Sequence, residues 1–312
     1  MLHNKIPHIP VLLSEVLQSF EGISKRDGVF IDCTLGYGGH SEAILKKFPK
    51  IHLVGIDQDP EAVEFSLERL EPFKKRFKAL NGRFSVLIPN LLQKGGVCGV
   101  LADFGVSSLQ LDKKERGFSF DSESLDMRMD PKAKLSAYEV VNGYSKNRLE
   151  HIFKEYAQVK TYKKVARAII DARSKKPIES CKELSDIIGH IIYKRSKINP
   201  ATVLFQAIRI EVNDEIGEII RLLDALEKSK PSGAIVGLIT FHSLEDRLVK
   251  QRFKKWSTSC VCPMDSFRCT CGDNHDIGKP LSRKPLTVHK DELKQNPRSR
   301  SAKLRVFKFK EI

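Results

Sequence analysis

The sequence predicts an α/β fold in which a mostly parallel, helix-covered sheet is interrupted by an all-helical domain. Three observations carry this reading. Short apolar runs alternate with amphipathic segments through the first third of the 312-residue chain. A glycine cluster sits where the first run meets the first helical segment. Beyond residue 112 the alternation stops, and helical periodicity holds until one further strand-like run near residue 234.

Residues 29–34 (VFIDCT) read as the first strand and 41–48 as the helix after the glycines. A second strand follows at 52–57 (HLVGID), then a helix over 60–70 that opens on Pro60, whose missing N–H is harmless in a first turn. Residues 84–88 and 97–104 read as the third and fourth strands. Residues 113–203 then form the inserted domain, with apolar faces such as Leu149, Ile152, Phe153 and Tyr156. A long helix over 204–228 leads back to a buried strand at 234–241 (AIVGLITF). On that helix Gln206, Arg209 and Asn213 share a polar face, read as solvated. Residues 302–310 read as a final edge strand. The sheet domain thus comprises 1–112 and 204–312, with 113–203 inserted.

Composition narrows the class. With 41% hydrophobic and 30% charged residues, the chain is neither wholly disordered nor a coiled-coil rod. Lys+Arg 54 against Asp+Glu 39 leaves +15, which points to a polyanionic partner, nucleic acid before membrane. Basic residues gather in the insertion at Lys160, Lys163, Lys164, Arg167, Arg173, Lys175 and Lys176, and in the tail at Arg283, Lys284, Arg298 and Arg300. No apolar run reaches the ~20 residues of a bilayer span. Seven cysteines without an export signal fit a reducing cytoplasm.

The most informative stretch is 32–41 (DCTLGYGGHS). Glycines there let the backbone turn sharply and approach a ligand at a helix N-terminus. Asp57 ends the next strand, where a carboxylate accepts hydrogen bonds from ribose hydroxyls. A dinucleotide fingerprint would carry a third glycine where Ser41 stands. The acidic Asp32 suits a ligand with an ammonium group, and S-adenosylmethionine offers that group and a ribose diol without a pyrophosphate. A nicotinamide or flavin enzyme and a purely structural turn are the competing readings. Asp103 ends the fourth strand, at the edge where open α/β sheets bind ligands, with a helix N-cap as its structural alternative.

Segments spread over the chain resemble the bacterial 16S ribosomal RNA cytosine-N4 methyltransferases, the MraW-like family. They are 8–16 (HIPVLLSEV), the glycine loop through Ser41, 55–60 (GIDQDP), 103–112 (DFGVSSLQLD), 116–120 (RGFSF), 125–130 (LDMRMD), 205–214 (FQAIRIEVND), 241–247 (FHSLEDR) and 296–301 (NPRSRS). The resemblance implies a Rossmann-like, S-adenosylmethionine-dependent methyltransferase domain with a helical substrate-recognition insertion. It implies methylation of one cytidine in the decoding region of 16S rRNA, with rRNA or the small ribosomal subunit as partner. The donor-binding positions it implies are Gly38, Gly39, His40, Asp57, Asp103, Gln110 and a residue after the third strand, usually Phe, which falls on Leu91. The chain departs from the family pattern at Tyr156-Ala157-Gln158 and at Val203-Leu204.

For the chemistry, Asp103 is the first candidate to hold an N4 proton, with donor binding as its other role. His242 and Ser243 are candidates to contact the flipped base or take the released proton. A structural histidine is the alternative for His242. Cys260, Cys262, Cys269 and Cys271 form C-x-C pairs that four-coordinate zinc would suit, with free thiols as the alternative. The transfer itself requires no metal. A non-catalytic zinc-dependent RNA-binding module and a DNA cytosine-N4 methyltransferase are the other rivals, the latter disfavoured by the absence of a Pro-Pro dipeptide after Asp103.

Overall fold

A computed structural model describes residues 10–189, 191, 201–263, 266 and 268–311. His8 and Ile9 of the N-terminal motif lie outside the described residues. The strands are β1 (Gly28–Asp32), β2 (Ile51–Asp57), β3 (Phe77–Asn81), β4 (Val97–Asp103), β5 (Ile235–Thr240), β6 (Gly278–Pro280), β7 (Leu286–Thr287) and β8 (Lys303–Phe309). They form one sheet in the order β3-β2-β1-β4-β5-β8-β6, with β7 also paired to β8. Strands β1 to β5 run parallel. β8 is antiparallel to β5, β6 and β7. Chain order therefore reverses between β1 and β4, which opens the crevice beyond their carboxyl ends that Rossmann-like sheets use for ligands.

The helices of the first stretch are α1 (Leu13–Ser19), α2 (Gly39–Lys47), α3 (Pro60–Arg69) and α4 (Phe84–Gln93). Then come α5 (Ser108–Asp112), α6 (Ala137–Gly143), α7 (Lys146–Glu155), α8 (Tyr162–Arg173), α9 (Cys181–Ile188) and α10 (Ala201–Asn213). α11 (Glu215–Ser229), α12 (Ser243–Trp256) and α13 (Lys290–Gln295) complete the chain. Alternation along the strands separates two cores. Phe30, Leu101, Ile239 and Leu304 pack with Val16, Ile44 and Leu45 on one face. Ile31, Val100, Val236 and Leu238 pack with Ile88, Leu223, Phe253 and Trp256 on the other.

The contacts divide the chain at Gly105/Val106 and at Ile216/Gly217 into a sheet unit and a helical unit. The sequence reading sets the corresponding boundaries at 112/113 and 203/204. The helical unit has its own core, in which Leu149, Ile152, Phe153, Val165, Ile169, Leu184, Phe205 and Ile208 are buried together. The Phe120 and Phe205 rings meet edge to face at 4.7 Å.

Three expectations need correction. Residues 84–88 are not a strand but the start of α4; the third strand is Phe77–Asn81, whose half-exposed edge position leaves little apolar pattern to read. The final strand β8 is not an edge, because β6 and β7 cover its free side. The long helix over 204–228 is two helices, α10 and α11, separated at Asp214 with its φ of 53°.

Asn213, read as a solvated residue, is buried. Its Nδ2 donates to the Met127 carbonyl at 2.8 Å and its Oδ1 accepts the Met129 N–H at 2.8 Å. Met127 itself sits at φ 60°, a conformation that costs a non-glycine residue energy, so Asn213 clamps a strained turn. Asn213→Ala should lower stability by about 2–4 kcal/mol, since it strands two buried backbone groups. Urea unfolding of the full chain checks this, and a loss under about 0.5 kcal/mol would refute the clamp.

Candidate functional site

The glycine loop joins β1 to α2 and is shaped by what surrounds it. Gly36 and Gly38 have φ of 51° and 73°, left-handed values that favour glycine. A Cβ on Gly39 would come within 2.5 Å of the Pro10 ring, and one on Gly38 within 3.2 Å of Leu70. From below, the Ser66 hydroxyl donates to the Gly36 carbonyl at 2.7 Å, and Arg69 donates to the Tyr37 carbonyl at 3.0 Å. Neither Ser66 nor Arg69 stood out in the sequence, because a residue that supports a loop from a neighbouring helix has no spacing signature.

Asp57 closes the loop from the side. Its Oδ2 accepts the Gly36 N–H at 2.8 Å and its Oδ1 accepts the Asp59 N–H at 2.9 Å. Each carboxylate oxygen retains a second lone pair for a hydroxyl group. Asp32 behaves differently. It is 2% exposed, and its oxygens accept the Ser41 hydroxyl at 2.7 Å and the Thr34 N–H at 3.2 Å. It therefore anchors the loop rather than presenting a carboxylate to a ligand. Ser41, noticed only as a missing glycine, is the donor that makes this possible. His40 is also used structurally: its Nε2 lies 2.9 Å from the Val11 carbonyl.

Asp103 stands at the carboxyl end of β4, in the other half of the crevice. Its backbone N–H donates to Thr34 Oγ1 at 2.6 Å, which couples it to the glycine loop. Its Oδ1 is buried without a hydrogen-bond partner. A buried carboxyl oxygen left open at a strand tip fits a group still to arrive, such as an ammonium or amino hydrogen. The adjacent strand β5 delivers Phe241 and His242, and α12 begins at Ser243, which is exposed. Glu245, fully buried, accepts the Phe241 and His242 N–H groups through Oε2 at 2.8 and 3.2 Å and so caps its own helix. His242 Nε2 lies 2.9 Å from Glu245 Oε1, yet neither atom completes a hydrogen bond in this arrangement. Glu245 was legible in principle, three residues after the N-cap position.

The third strand at Phe77–Asn81 also changes which residue follows it. The phenylalanine that follows it is Phe84, the first residue of α4, whose ring lies 6.3 Å from that of Phe104. Leu91 is two turns further along and packs partly into the core. Gln110 belongs to the helical unit, where its Oε1 accepts the Ser107 N–H at 3.0 Å and its own N–H donates to Ser107 Oγ at 3.2 Å. Of the basic residues in that unit, Arg173 is committed to the Val141 and Tyr144 carbonyls at 2.6 Å each. Arg167 and Lys176 pair with Asp171 and Glu183. Lys160, Lys163, Lys164 and Lys175 are exposed. Among the described residues, no helix is long and apolar enough to cross a membrane.

Residues 5–310 match the model of the MraW methylase family. The chain is similar to ribosomal RNA small subunit methyltransferase H of a Sulfurovum species, with 60% identity over 97% of this chain and 98% of that one. It is similarly related to the proteins of that name from a Nitratiruptor species, at 57% over 98% and 99%, and from Wolinella succinogenes, at 57% over 97% and 99%.

The site is electrostatically loaded. Burial pushes both Asp32 and Asp57 up to about 6, against the hydrogen bonds each accepts. Asp103 is held well above the usual carboxyl range by burial and by the nearby Asp32 and Glu245. A carboxyl group with a raised folded-state pKa binds its proton more tightly in the folded chain, so its contribution to stability is lost as pH rises. For Asp32 the window runs from about 4 to about 6. The stability difference between wild type and Asp32→Asn should therefore fall by about 3 kcal/mol between pH 4 and pH 7, at 1.36 kcal/mol per pH unit. Paired urea titrations measure it, and a difference that stays flat or grows with pH would rule out the assignment.

Proposed function

Since the chain belongs to the MraW methylase family, we propose that it transfers a methyl group from S-adenosylmethionine to the exocyclic N4 of one cytidine in the decoding region of 16S rRNA. The observation that carries this reading is the open, buried Oδ1 of Asp103 across the sheet crevice from the glycine loop. The names of the relatives support small-subunit rRNA as the substrate. S-adenosylmethionine, when bound, supplies a methyl group already activated by its sulfonium charge.

The chain's own residues account for the rest. Asp57, fixed by the Gly36 and Asp59 N–H groups, holds the ribose diol. The backbone at Gly38, Gly39 and His40 receives the donor, and the glycines let that backbone pack closely against Leu70 and Pro10. Phe84, rather than Leu91, lies against the adenine. The family resemblance also assigns Gln110 to donor binding. The N4 lone pair of cytosine is delocalised into the ring, so alignment in a water-poor pocket is the main contribution, and orientation of this kind is worth up to ~7–11 kcal/mol. Asp103 accepts a hydrogen bond from the N4 amino group and orients it. His242, whose Nε2 faces Glu245 Oε1 at 2.9 Å and whose Nδ1 has no hydrogen-bond partner, receives or relays the proton released as the nitrogen is methylated, and Ser243 contacts the extruded base. Exposed lysines of the insertion and the tail arginines hold the RNA phosphates, which gives binding a strong salt dependence. Such a protein works in the cytoplasm, where ribosomal subunits are made.

Mapping of methylated cytidines in rRNA, with and without the chain, tests the reaction directly. Purified protein should add one N4-methyl mark to small-subunit rRNA. Asp103→Asn and His242→Ala should each lower turnover by about 10²–10⁴-fold, with His242→Ala leaving donor affinity unchanged. Undiminished turnover in both variants would defeat the proposed chemistry. Phe84→Ala should weaken donor binding about tenfold, as loss of a stacked base does, while Leu91→Ala changes it little. Calorimetry with S-adenosylhomocysteine distinguishes the two, and the reverse ranking would return the adenine contact to Leu91.

A further inference from the structure

The segment between α12 and β6 contains four thiols that the methyl-transfer reading leaves unused. We propose that Cys260, Cys262, Cys269 and Cys271 form a structural tetrathiolate site for a zinc ion.

The argument is geometric. Cys260 and Cys269 Sγ are 3.7 Å apart, Cys269 and Cys271 Sγ 3.6 Å, and Cys271 and Cys260 Sγ 3.7 Å. All four sulfurs lie within 4.8 Å of one another. Around zinc, with a Zn–S distance of about 2.3 Å, the edge of a regular tetrahedron is about 3.8 Å. The thiols are free rather than paired as disulfides. Backbone N–H groups already point at the sulfurs: Val261 donates to Cys271 and Thr270 to Cys262, each at 3.3 Å. Such donors stabilise thiolate charge around a metal. On binding, four thiols release their protons to solvent and leave a site of net charge −2.

Among its described residues the loop is otherwise held by polar contacts alone. No described residue from 257 to 276 is buried, although the segment is fixed at both ends in the core. At those ends Ile277 N–H donates to the Trp256 carbonyl at 2.9 Å and Lys310 N–H to the Ile277 carbonyl at 2.9 Å. Inside, His275 N–H reaches the Ser259 carbonyl at 3.0 Å, and His275 Nε2 lies 2.9 Å from the Cys271 carbonyl. A loop of roughly 20 residues with no buried apolar group among those described needs a cross-link to hold one conformation, and a metal supplies it.

Location sets the role. β6 pairs through Gly278 with Phe309 and through Lys279 with Lys308, and Lys308 in turn pairs with Ile235 at the start of β5. The thiols therefore leave the sheet at the amino end of its parallel strands, whereas Asp103 and His242 lie at the carboxyl end. Four protein ligands also leave no open coordination position for substrate. The ion is structural and outside the methyl-transfer site.

The full chain, purified reduced, should carry about one zinc ion, and Cys269→Ser/Cys271→Ser should carry nearly none. Cobalt(II) titrated into metal-stripped wild type should give thiolate-to-metal charge-transfer and tetrahedral ligand-field bands that the double variant lacks. Zinc removal should expose residues 257–276 to protease while leaving S-adenosylhomocysteine affinity within about twofold, a change below 0.5 kcal/mol. Four titratable thiols with no cobalt band, or a band that persists in the double variant, would overturn the site. Loss of donor binding on metal removal would overturn its purely structural role.

Discussion

The site depends on a concentration of buried negative charge that the fold only partly neutralises. Asp32 lies within electrostatic reach of both Asp57 and Asp103. Hydrogen bonds from Ser41, Thr34, Gly36 and Asp59 support the first two carboxylates, but Asp103 keeps one oxygen open. Carboxylates arranged so are costly in an empty pocket and favourable once a cation arrives, because a positive ligand replaces mutual repulsion with attraction. The same residues explain why the loop has its shape. Asp57 holds the chain through the Gly36 N–H, and Gly36 accepts the left-handed backbone that this bond requires.

The sheet makes this concentration of charge possible. Parallel strands put Asp32, Asp57 and Asp103 at the carboxyl ends of β1, β2 and β4, and the β1–β4 reversal keeps the connecting helices from closing over them. β8 then extends the sheet beyond β5, with Arg305 and Lys303 bound to Asp246 of α12. That pair ties the helix following His242 to the sheet. The position of His242 thus depends on contacts made by the last strand of the chain, far from it in sequence.

Legibility followed the strength of local patterns. The Gly36 to Asp57 spacing was visible in the sequence, and the observed hydrogen bond joins those two residues. β4 and β5 read clearly because they are apolar throughout, as strands covered on both faces are. β3 was missed because Phe77-Lys-Ala-Leu-Asn81 lies at an edge and is half exposed, while Phe84-Ser-Val-Leu-Ile88 has the aromatic and branched composition of a strand but folds as a helix. That single displacement places the residue following the third strand at Leu91 in the sequence reading and at Phe84 in the structure. Asn213 was missed for another reason. Periodicity reports which residues share a helix face, but a turn from elsewhere in the chain had already claimed the polar one.

Glu245 shows how a structural role and an electrostatic one fall on the same side chain. One oxygen is committed to the backbone N–H groups of Phe241 and His242, so the carboxylate cannot swing away. The other faces His242 Nε2 at 2.9 Å, and its charge adds to the field that raises Asp103. Removing Glu245 would loosen the helix start and ease the Asp103 carboxyl together, so a loss of activity on its substitution would not separate the two roles. A glutamine at this position retains one acceptor for the cap, removes the charge and turns the atom facing the His242 ring into an NH₂ donor. What the site requires of Glu245 is therefore divided between the two oxygens of one carboxylate, with Oε2 fixing the His242 backbone and Oε1 facing its ring.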